Sequence, residues 1–408
     1  MKVISLEQLK QLLESLAPNP RVVASGNFAA PNVLLQAMDH AVPEFRLHML
    51  NAQPGIPDRE GISYESSFIG GGMRRHPRLT YIPCRLSLVP ILFRDHYAPD
   101  VVLLHTSGRR DGTVSLGTEV NILPAAIEAA KANGGIVIAQ ANAQMPYTFG
   151  DSQLYEDEID YLIEVDEPLA TKPATNFNDE TRQIGALISQ RITDGSTLQL
   201  GIGAIPDSVL NALGTRKDLR IWTEMFSDGV LELHRRGALN DQVPITASFV
   251  FGGTELYQWL NLNHSVRMLR TEQTNDPGQI ARQTKMTSIN AALQVDLYDQ
   301  ANASHVRGEI YSGFGGSTDF IVGALHSKGG ASFMALQSWH PKAQQSSIVP
   351  RLTENVTSFQ HSYVVTENGV ADCFGHSQKQ QAENLINKAA HPSARAELTE
   401  AAGRLGLL

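Results

Sequence analysis

Two stretches of this chain repeat one another. Val23-Ala24-Ser25-Gly26-Asn27-Phe28-Ala29-Ala30-Pro31 matches Leu198-Gln199-Leu200-Gly201-Ile202-Gly203-Ala204-Ile205-Pro206 in pattern, at an offset of 175. Each is an apolar strand-forming run, a glycine, and a proline five residues after that glycine. The helical positions that follow keep register, with Leu34, Leu35, Ala37 and Met38 falling on Val209, Leu210, Ala212 and Leu213. The next strand follows at an offset of 174, with Arg46 on Arg220 and Gly55 on Gly229. A strand, a glycine turn and a helix in duplicate describe two similar α/β units. Any two such units share that pattern, so coincidence stays open as the alternative.

The rest of the chain alternates in the same way. Arg21 to Ser25, Phe45 to Leu50, Val101 to His105, Ile136 to Ala141 and Tyr161 to Val165 are short apolar runs of strand length. Pro31 to Asp39 and Leu123 to Asn133 carry helical spacing between them. Strands alternating with helices form mainly parallel sheets with helices packed on them. A length of 408 residues accommodates two such bodies. The segment from Glu167 to Asn176 is polar, holds two prolines and reads as the joint, and a helix from Asp179 to Ile192 follows it. The expectation is two similar open α/β domains with mainly parallel sheets, residues 1–175 and 176–408.

In the second half, Leu219 to Trp222 reads as a buried strand, Ser227-Asp228-Gly229 as a turn and Val230 to Gly237 as a helix. Glu224 then stands at the carboxyl edge of a strand, where open α/β sheets place their ligands. Met225 and Phe226 beside it would keep a carboxylate poorly hydrated and reactive. Taken alone, a glutamate in such a loop is more often a surface acid. At the offset of 174, Glu224 falls on Leu50. A duplication would therefore leave the carboxylate in one half only, with the first half supplying scaffold, walls or binding surface.

Composition removes several classes of function. The formal net charge of −9 opposes a general nucleic-acid binder, although local cations or helix N-termini still bind phosphate. The two cysteines, Cys84 and Cys373, lack metal-ligand spacing and suit a reducing cytoplasm. The histidines form no metal-binding set and no serine nucleophile elbow is present, so no metal site is expected. Leu6, Leu9, Leu12, Leu13 and Leu16 give the N-terminus helical spacing, but Lys2, Glu7, Lys10 and Glu14 break the apolar core that a signal peptide needs. Other apolar runs are too short to span a bilayer, so no membrane partner is expected.

Five further pieces stand in order along the chain: Leu200 to Pro206, Thr274-Asn275-Asp276-Pro277, Gly313-Phe314-Gly315-Gly316-Ser317-Thr318-Asp319-Phe320, Ser327-Lys328-Gly329-Gly330, and Tyr363 to Asp372 with Thr366-Glu367-Asn368-Gly369 inside it. Together with Glu224 they resemble the acetyl-CoA hydrolase/4-hydroxybutyrate CoA-transferase family, from about residue 20 to the C-terminus. The resemblance implies a CoA-transferase-like fold, shared with sugar-phosphate isomerases and sensor domains. It implies an enzyme that moves CoA between a short-chain acyl-CoA and a small carboxylic acid of the acetate, butyrate or 4-hydroxybutyrate type. Coenzyme A would be a substrate, no cofactor would stay bound, and the assembly would be a homodimer or larger homo-oligomer.

Residue by residue, Glu224 matches the family's catalytic glutamate, which carries CoA as a glutamyl thioester. Gly316 matches a glycine beside the reacting carbonyl. The pair Gly315-Gly316, free of side chains, lets backbone N–H groups approach an oxyanion, the alternative being a tight turn. Gly201-Ile202-Gly203 precedes a helix and can present N–H groups to an anion or carbonyl, though such junctions are common. Asn275 matches a residue that reaches the substrate or the CoA thioester, and reads otherwise as an Asx-turn. Lys328 would meet a CoA phosphate or be simply solvated, and Asn368 and Gly369 would line the CoA tunnel. Arg74, Arg75, Arg78, Arg109, Arg110, Arg216, Lys217 and Arg220 are weaker candidates for the nucleotide end. Ser317 stands where many relatives have Gln, and Cys373-Phe374-Gly375 replaces Leu-Arg-Gly. These departures bear on the acyl pocket and the phosphate contacts. The alternatives are an acyl-CoA hydrolase using the same glutamate and a non-catalytic binder of CoA or sugar phosphate.

Overall fold

The computed structural model describes every residue except 174–175, 202 and 357–359. The chain forms two compact units built from interleaved segments. The first takes Met1–Pro173, Pro244–Thr274 and Tyr311–Gly315, and the second takes Ala174–Val243, Asn275–Ile310 and Gly316–Leu408. The sequence reading cut the chain once, after residue 175. The excursion Pro244–Thr274 returns to the first unit because its strands Ile245–Ala247 and Val266–Met268 pair in parallel, and the second of these also pairs with Phe149–Gly150.

The first unit is organised on an eight-stranded sheet. Its spatial order is Lys2–Val3, Tyr161–Val165, Ile136–Asn142, Val101–Ser107, Arg21–Ala24, Phe45–His48, Ile62–Ser66, Leu79–Tyr81. Every neighbouring pair runs parallel. Val101–Ser107 is buried along its whole length, as expected of a parallel strand covered on both faces. From Arg21–Ala24 the chain steps outward to Phe45–His48 on one side, then returns to place Val101–Ser107 on the other. That reversal makes the crevice between these two strands the topological switch point of the sheet.

The second unit carries a six-stranded sheet ordered Arg220–Ile221, Thr197–Leu200, Met286–Ala291, Ala331–Ala335, Tyr363–Thr366, Gly369–Asp372. Five strands are parallel and the last closes an antiparallel hairpin. Val295, Met334, Leu336, Val364, Leu385 and Leu398 belong to one buried core on this unit. Both units are therefore mixed α/β bodies on mainly parallel sheets.

The repeated glycines hold equivalent places. Gly26 follows strand Arg21–Ala24 and precedes helix Asn32–Ala41, while Gly201 follows strand Thr197–Leu200 and precedes helix Ala204–Ala212. A side chain on Gly26 would overlap the Leu50 carbonyl, so the glycine there is sterically required. Among the described residues no helix is long and apolar enough to cross a membrane.

Candidate active site

Strand Arg220–Ile221 pairs with Thr197–Leu200 in the register Thr197↔Arg220, Leu198↔Ile221. Carried forward, that register sets Glu224 level with Gly201, both just past the carboxyl edge of the sheet. Thr223, buried between them, fixes this end. Its Oγ1 accepts from the Leu200 N–H at 3.1 Å and lies 2.9 Å from the Met225 carbonyl and 3.2 Å from that of Leu200. Residues 223 and 225 are thus pinned on either side of Glu224, which leaves its side chain as the free element of the turn. Met225 and Phe226 are buried.

Glu224 keeps some solvent contact, but its carboxylate is hemmed in by protein. Asn275 Nδ2 donates to Glu224 Oε2 at 3.0 Å. Gly316 packs against the same oxygen, and a methyl group on it would overlap both Glu224 Oε2 and Asn275 Nδ2. Burial raises the Glu224 pKa from 4.5 to about 7, the Asn275 bond opposes the rise, and the charge of Asp319 adds to it. Asp319 lies in the first turn of helix Ser317–His326, whose N-cap is Gly316. The partially positive end of that helix faces the carboxylate's neighbourhood. A carboxylate with a neutral-range pKa, one amide donor and a side-chain-free wall is arranged for nucleophilic or proton-transfer chemistry.

The structure brings Glu224, Asn275 and Gly316 together from three separate stretches. Asn275 precedes Asp276, and it is Asp276 that caps the following helix by accepting from Gln279 N–H at 2.6 Å. The Asn275 amide is thereby left to the carboxylate. Gly315 has a φ of +58° and belongs to the first unit, where its carbonyl accepts from Leu86 N–H at 3.0 Å. Gly203 caps helix Ala204–Ala212 with a φ of 127°, a left-handed position that favours glycine. A methyl on Gly201 would meet only Pro206 Cγ at 3.5 Å and the Ile289 carbonyl at 3.8 Å, so space does not force a glycine there. Ile202 lies outside the described residues.

Other expected residues stand apart from Glu224. Asn368 occupies the turn between Tyr363–Thr366 and Gly369–Asp372, four strands across the sheet, about 19 Å at the usual strand spacing. Its Nδ2 donates to Ser338 Oγ at 2.8 Å, and Glu367 holds the Ser338 N–H at 2.9 Å, so this amide ties the turn to the segment after strand Ala331–Ala335. A methyl on Gly369 would meet the Lys388 carbonyl at 2.8 Å. Lys328 is exposed, after the C-terminal end of helix Ser317–His326 and before strand Ala331–Ala335. That is the amino edge of the sheet, opposite the edge that carries Glu224. Arg78 pairs with Asp58, Arg109 with Glu164 at 3.2 Å, and Arg216 donates to the Ser189 carbonyl at 3.1 Å.

One feature escaped the sequence reading. In the first unit Glu119, 2 % exposed, accepts at Oε1 from Gly26 N–H (3.1 Å), Asn27 Nδ2 (3.0 Å) and Asn121 Nδ2 (2.9 Å). Its Oε2 has no hydrogen-bond partner among the described residues. Burial raises its pKa to about 7 against the pull of those three donors. Leu50, the counterpart of Glu224 in the repeat, is buried and carries no charge. Glu119, a buried carboxylate of the first unit, lies instead in a stretch that the repeat does not cover.

Residues 48–172 match the acetyl-CoA hydrolase/transferase N-terminal domain, and residues 252–402 match the acetyl-CoA hydrolase/transferase C-terminal domain. A 4-hydroxybutyrate coenzyme A transferase of Clostridium kluyveri is 35% identical over 97% of this chain and 96% of its own. A succinyl-CoA:cyclohexane-1-carboxylate CoA transferase of Geobacter metallireducens is 38% identical over 80% of this chain and 76% of its own. The crystal structure of a 4-hydroxybutyrate CoA-transferase from Porphyromonas gingivalis superposes with a TM-score of 0.83 at 33% identity, covering 99% of this chain and 98% of that one. With both domains matched in order and the Clostridium kluyveri relative similar over 96% of its length, this chain is an enzyme of the acetyl-CoA hydrolase/transferase family.

Proposed function

We propose that the protein transfers CoA between a short-chain acyl-CoA and a carboxylate of the acetate, butyrate or 4-hydroxybutyrate type, with Glu224 as the nucleophile. The observation that carries this reading is the Glu224 carboxylate itself. Asn275 holds one oxygen, Gly316 leaves the adjoining wall open, and the pKa sits near neutrality. Such a carboxylate is substantially ionised at neutral pH yet more basic than a free one, which favours attack.

The sequence of bonds balances without a resident cofactor. A Glu224 oxygen adds to the thioester carbonyl carbon and the C–S bond breaks, giving an acyl-glutamyl anhydride and CoA thiolate. The thiolate attacks Glu224 Cδ and breaks the anhydride C–O bond. The first acid leaves as its carboxylate and a glutamyl-CoA thioester remains. The incoming carboxylate then runs the same steps in reverse and restores Glu224. Each tetrahedral intermediate carries an oxyanion, for which one donor is worth about 3–4 kcal/mol. The open wall at Gly316 and the helix N-terminus it caps supply the room and the polarity for it. Gly201, Gly203, Asn368 and Gly369 are carried as candidate CoA contacts. Coenzyme A enters as a substrate, and a homodimer or larger homo-oligomer is the working assembly.

Peptide mass spectrometry after mixing the protein with acetyl-CoA or butyryl-CoA, with and without acetate, tests the reading. The expected result is a CoA adduct on the peptide holding Glu224 that acetate discharges, absent in Glu224→Gln. Steady release of CoA and free acid without any acceptor would identify a hydrolase using the same residue. No adduct and no turnover with any donor would overturn the mechanism.

A further inference from the structure

The first unit contains a cavity of ≈ 590 Å³ at the carboxyl edge of its sheet. Its wall includes Asn27, which follows strand Arg21–Ala24, and His105, near the end of strand Val101–Ser107. These strands flank the switch point, the position where open α/β sheets take ligands, and the volume is that of a small-molecule site. Phe28 and Phe251 line it with their rings stacked, centroids 3.4 Å apart and planes 7° from parallel. Asn32 and Gln36 also line it, four residues apart on helix Asn32–Ala41 and so on one face. Neither side-chain amide bonds to another group among the described residues. Two further amides line it: Gln53, whose Nε2 donates to the Asn51 carbonyl at 2.7 Å, and Asn27, already engaged by Glu119 and Asn51.

The charges in this cavity oppose an anion. Its lining includes no Lys or Arg among the described residues, and it includes Glu167. The N–H groups of Val33 and Leu34, at the start of helix Asn32–Ala41, are taken by Gln140 Oε1 at 3.0 and 3.4 Å, so the helix end is not open to phosphate. His105 is held neutral by burial, its pKa lowered to about 4.

We propose that this cavity binds an adenine ring, with the Phe28–Phe251 stack against the face of the base, the amides of Asn32 and Gln36 at its edge, and any phosphate left outside. Asparagine and glutamine pair in bidentate fashion with adenine N6 and N7, and aromatic stacking supplies affinity that any base can use. Its lining does not include Glu224, and the proposal does not depend on the reaction assigned to that residue.

Equilibrium dialysis of the full-length protein against adenosine, cytidine, AMP and CoA tests this. Adenosine should bind at one equivalent per chain, more tightly than cytidine because of the amides, and AMP should bind more weakly than adenosine because of Glu167. Phe28→Ala should weaken adenosine about tenfold or more. Gln36→Leu, on an exposed helical surface that tolerates the change, should remove the preference for adenosine over cytidine. Glu224→Gln should bind adenosine as the wild type does, so failure of the transfer mechanism and failure of this site are separately visible. One-for-one displacement of adenosine by CoA would identify the adenine end of that substrate as the occupant, and no displacement a free nucleoside. Absence of adenosine binding at millimolar concentration, or binding that neither Phe28→Ala nor Gln36→Leu alters, would overturn the proposal.

Discussion

Replacing Gly316 by alanine isolates the wall of the site from the fold. The Gly316 backbone sits at φ −101°, ψ −1°, a conformation any L-residue adopts, so the new methyl introduces no backbone strain. It does overlap Glu224 Oε2 and Asn275 Nδ2. Restoring ordinary contact distances of about 3.5 Å requires the carboxylate or the amide to move by about 1 Å or more. Two costs follow. The Asn275 bond to an ionised carboxylate is worth about 1.5–3 kcal/mol, and a 1 Å misplacement of a reacting group costs about 10²-fold in rate. Because the two overlap in cause, kcat for transfer should fall about 10²- to 10³-fold. Loss of a glycine N-cap costs about 1 kcal/mol, which lowers Tm by only a few degrees in a chain of this size. Losing the amide bond also removes what opposes the rise in the Glu224 pKa, so the acidic limb of the rate profile should move to higher pH. The assay is single-turnover formation of the CoA adduct across pH, with a thermal melt beside it. Activity within a few-fold of wild type and an unmoved limb would show that Glu224 does not react from the position against Gly316.

Asn275→Ala should likewise shift the acidic limb of kcat/KM upward from about 7, because the amide stabilises the ionised form, with less loss of kcat than Gly316→Ala since nothing is displaced. Glu119 gives a stability prediction: its folded pKa of about 7 exceeds the ordinary 4.5, so the folded state holds its proton to higher pH and the protein loses stability as pH rises from about 4.5 through about 7. The full span is at most about 3 kcal/mol, and denaturant melts of Glu119→Gln should show that part of the decline flattened. Thr223→Val should cost about 2–3 kcal/mol in the same melts, since it leaves the buried Leu200 N–H without its acceptor, and should lower kcat more than it raises KM. Thr223→Ser, which keeps the hydroxyl, should restore most of both.

The repeat gave the architecture because it rests on backbone geometry that glycine and apolar runs write directly. Strands Arg21–Ala24, Phe45–His48, Ile136–Asn142 and Tyr161–Val165 lie where the apolar runs placed them, to within a residue or two. Helix Asp228–Arg235 begins two residues before the expected Val230, because Ser227 rather than Gly229 occupies the cap position, and Gly237 follows its end at φ +63°. Strands Ile62–Ser66 and Leu79–Tyr81 were not anticipated, since Ser, Glu and Thr break up their apolar pattern. At the site, Glu224, Asn275 and Gly316 could be named but their contact could not, because it depends on three loops meeting. The place of Lys328 follows from topology, and its exposure fits the solvated alternative. A residue after a helix and before a parallel strand lies at the amino edge, and Glu224 lies at the other. Glu119 gave no signal because nothing in Gly117-Thr118-Glu119-Val120-Asn121 distinguishes a buried acid from an exposed one.

The interleaving of the two units bears on how this enzyme is made and how it can be cut. The chain leaves the first unit at Thr274 and, for the last time, at Gly315, and the next residues are Asn275 and Gly316. Both neighbours of the Glu224 carboxylate are therefore the first residues beyond a crossing. On the ribosome, Pro244–Thr274 emerges only after all of Ala174–Val243, so strand Phe149–Gly150 must wait for its partner Val266–Met268. A gene split at the proline-rich joint would separate that pair, and neither half would hold a complete first unit. A one-residue insertion between Thr274 and Asn275, or between Gly315 and Gly316, would leave both hydrophobic cores untouched while shifting a residue that touches the nucleophile.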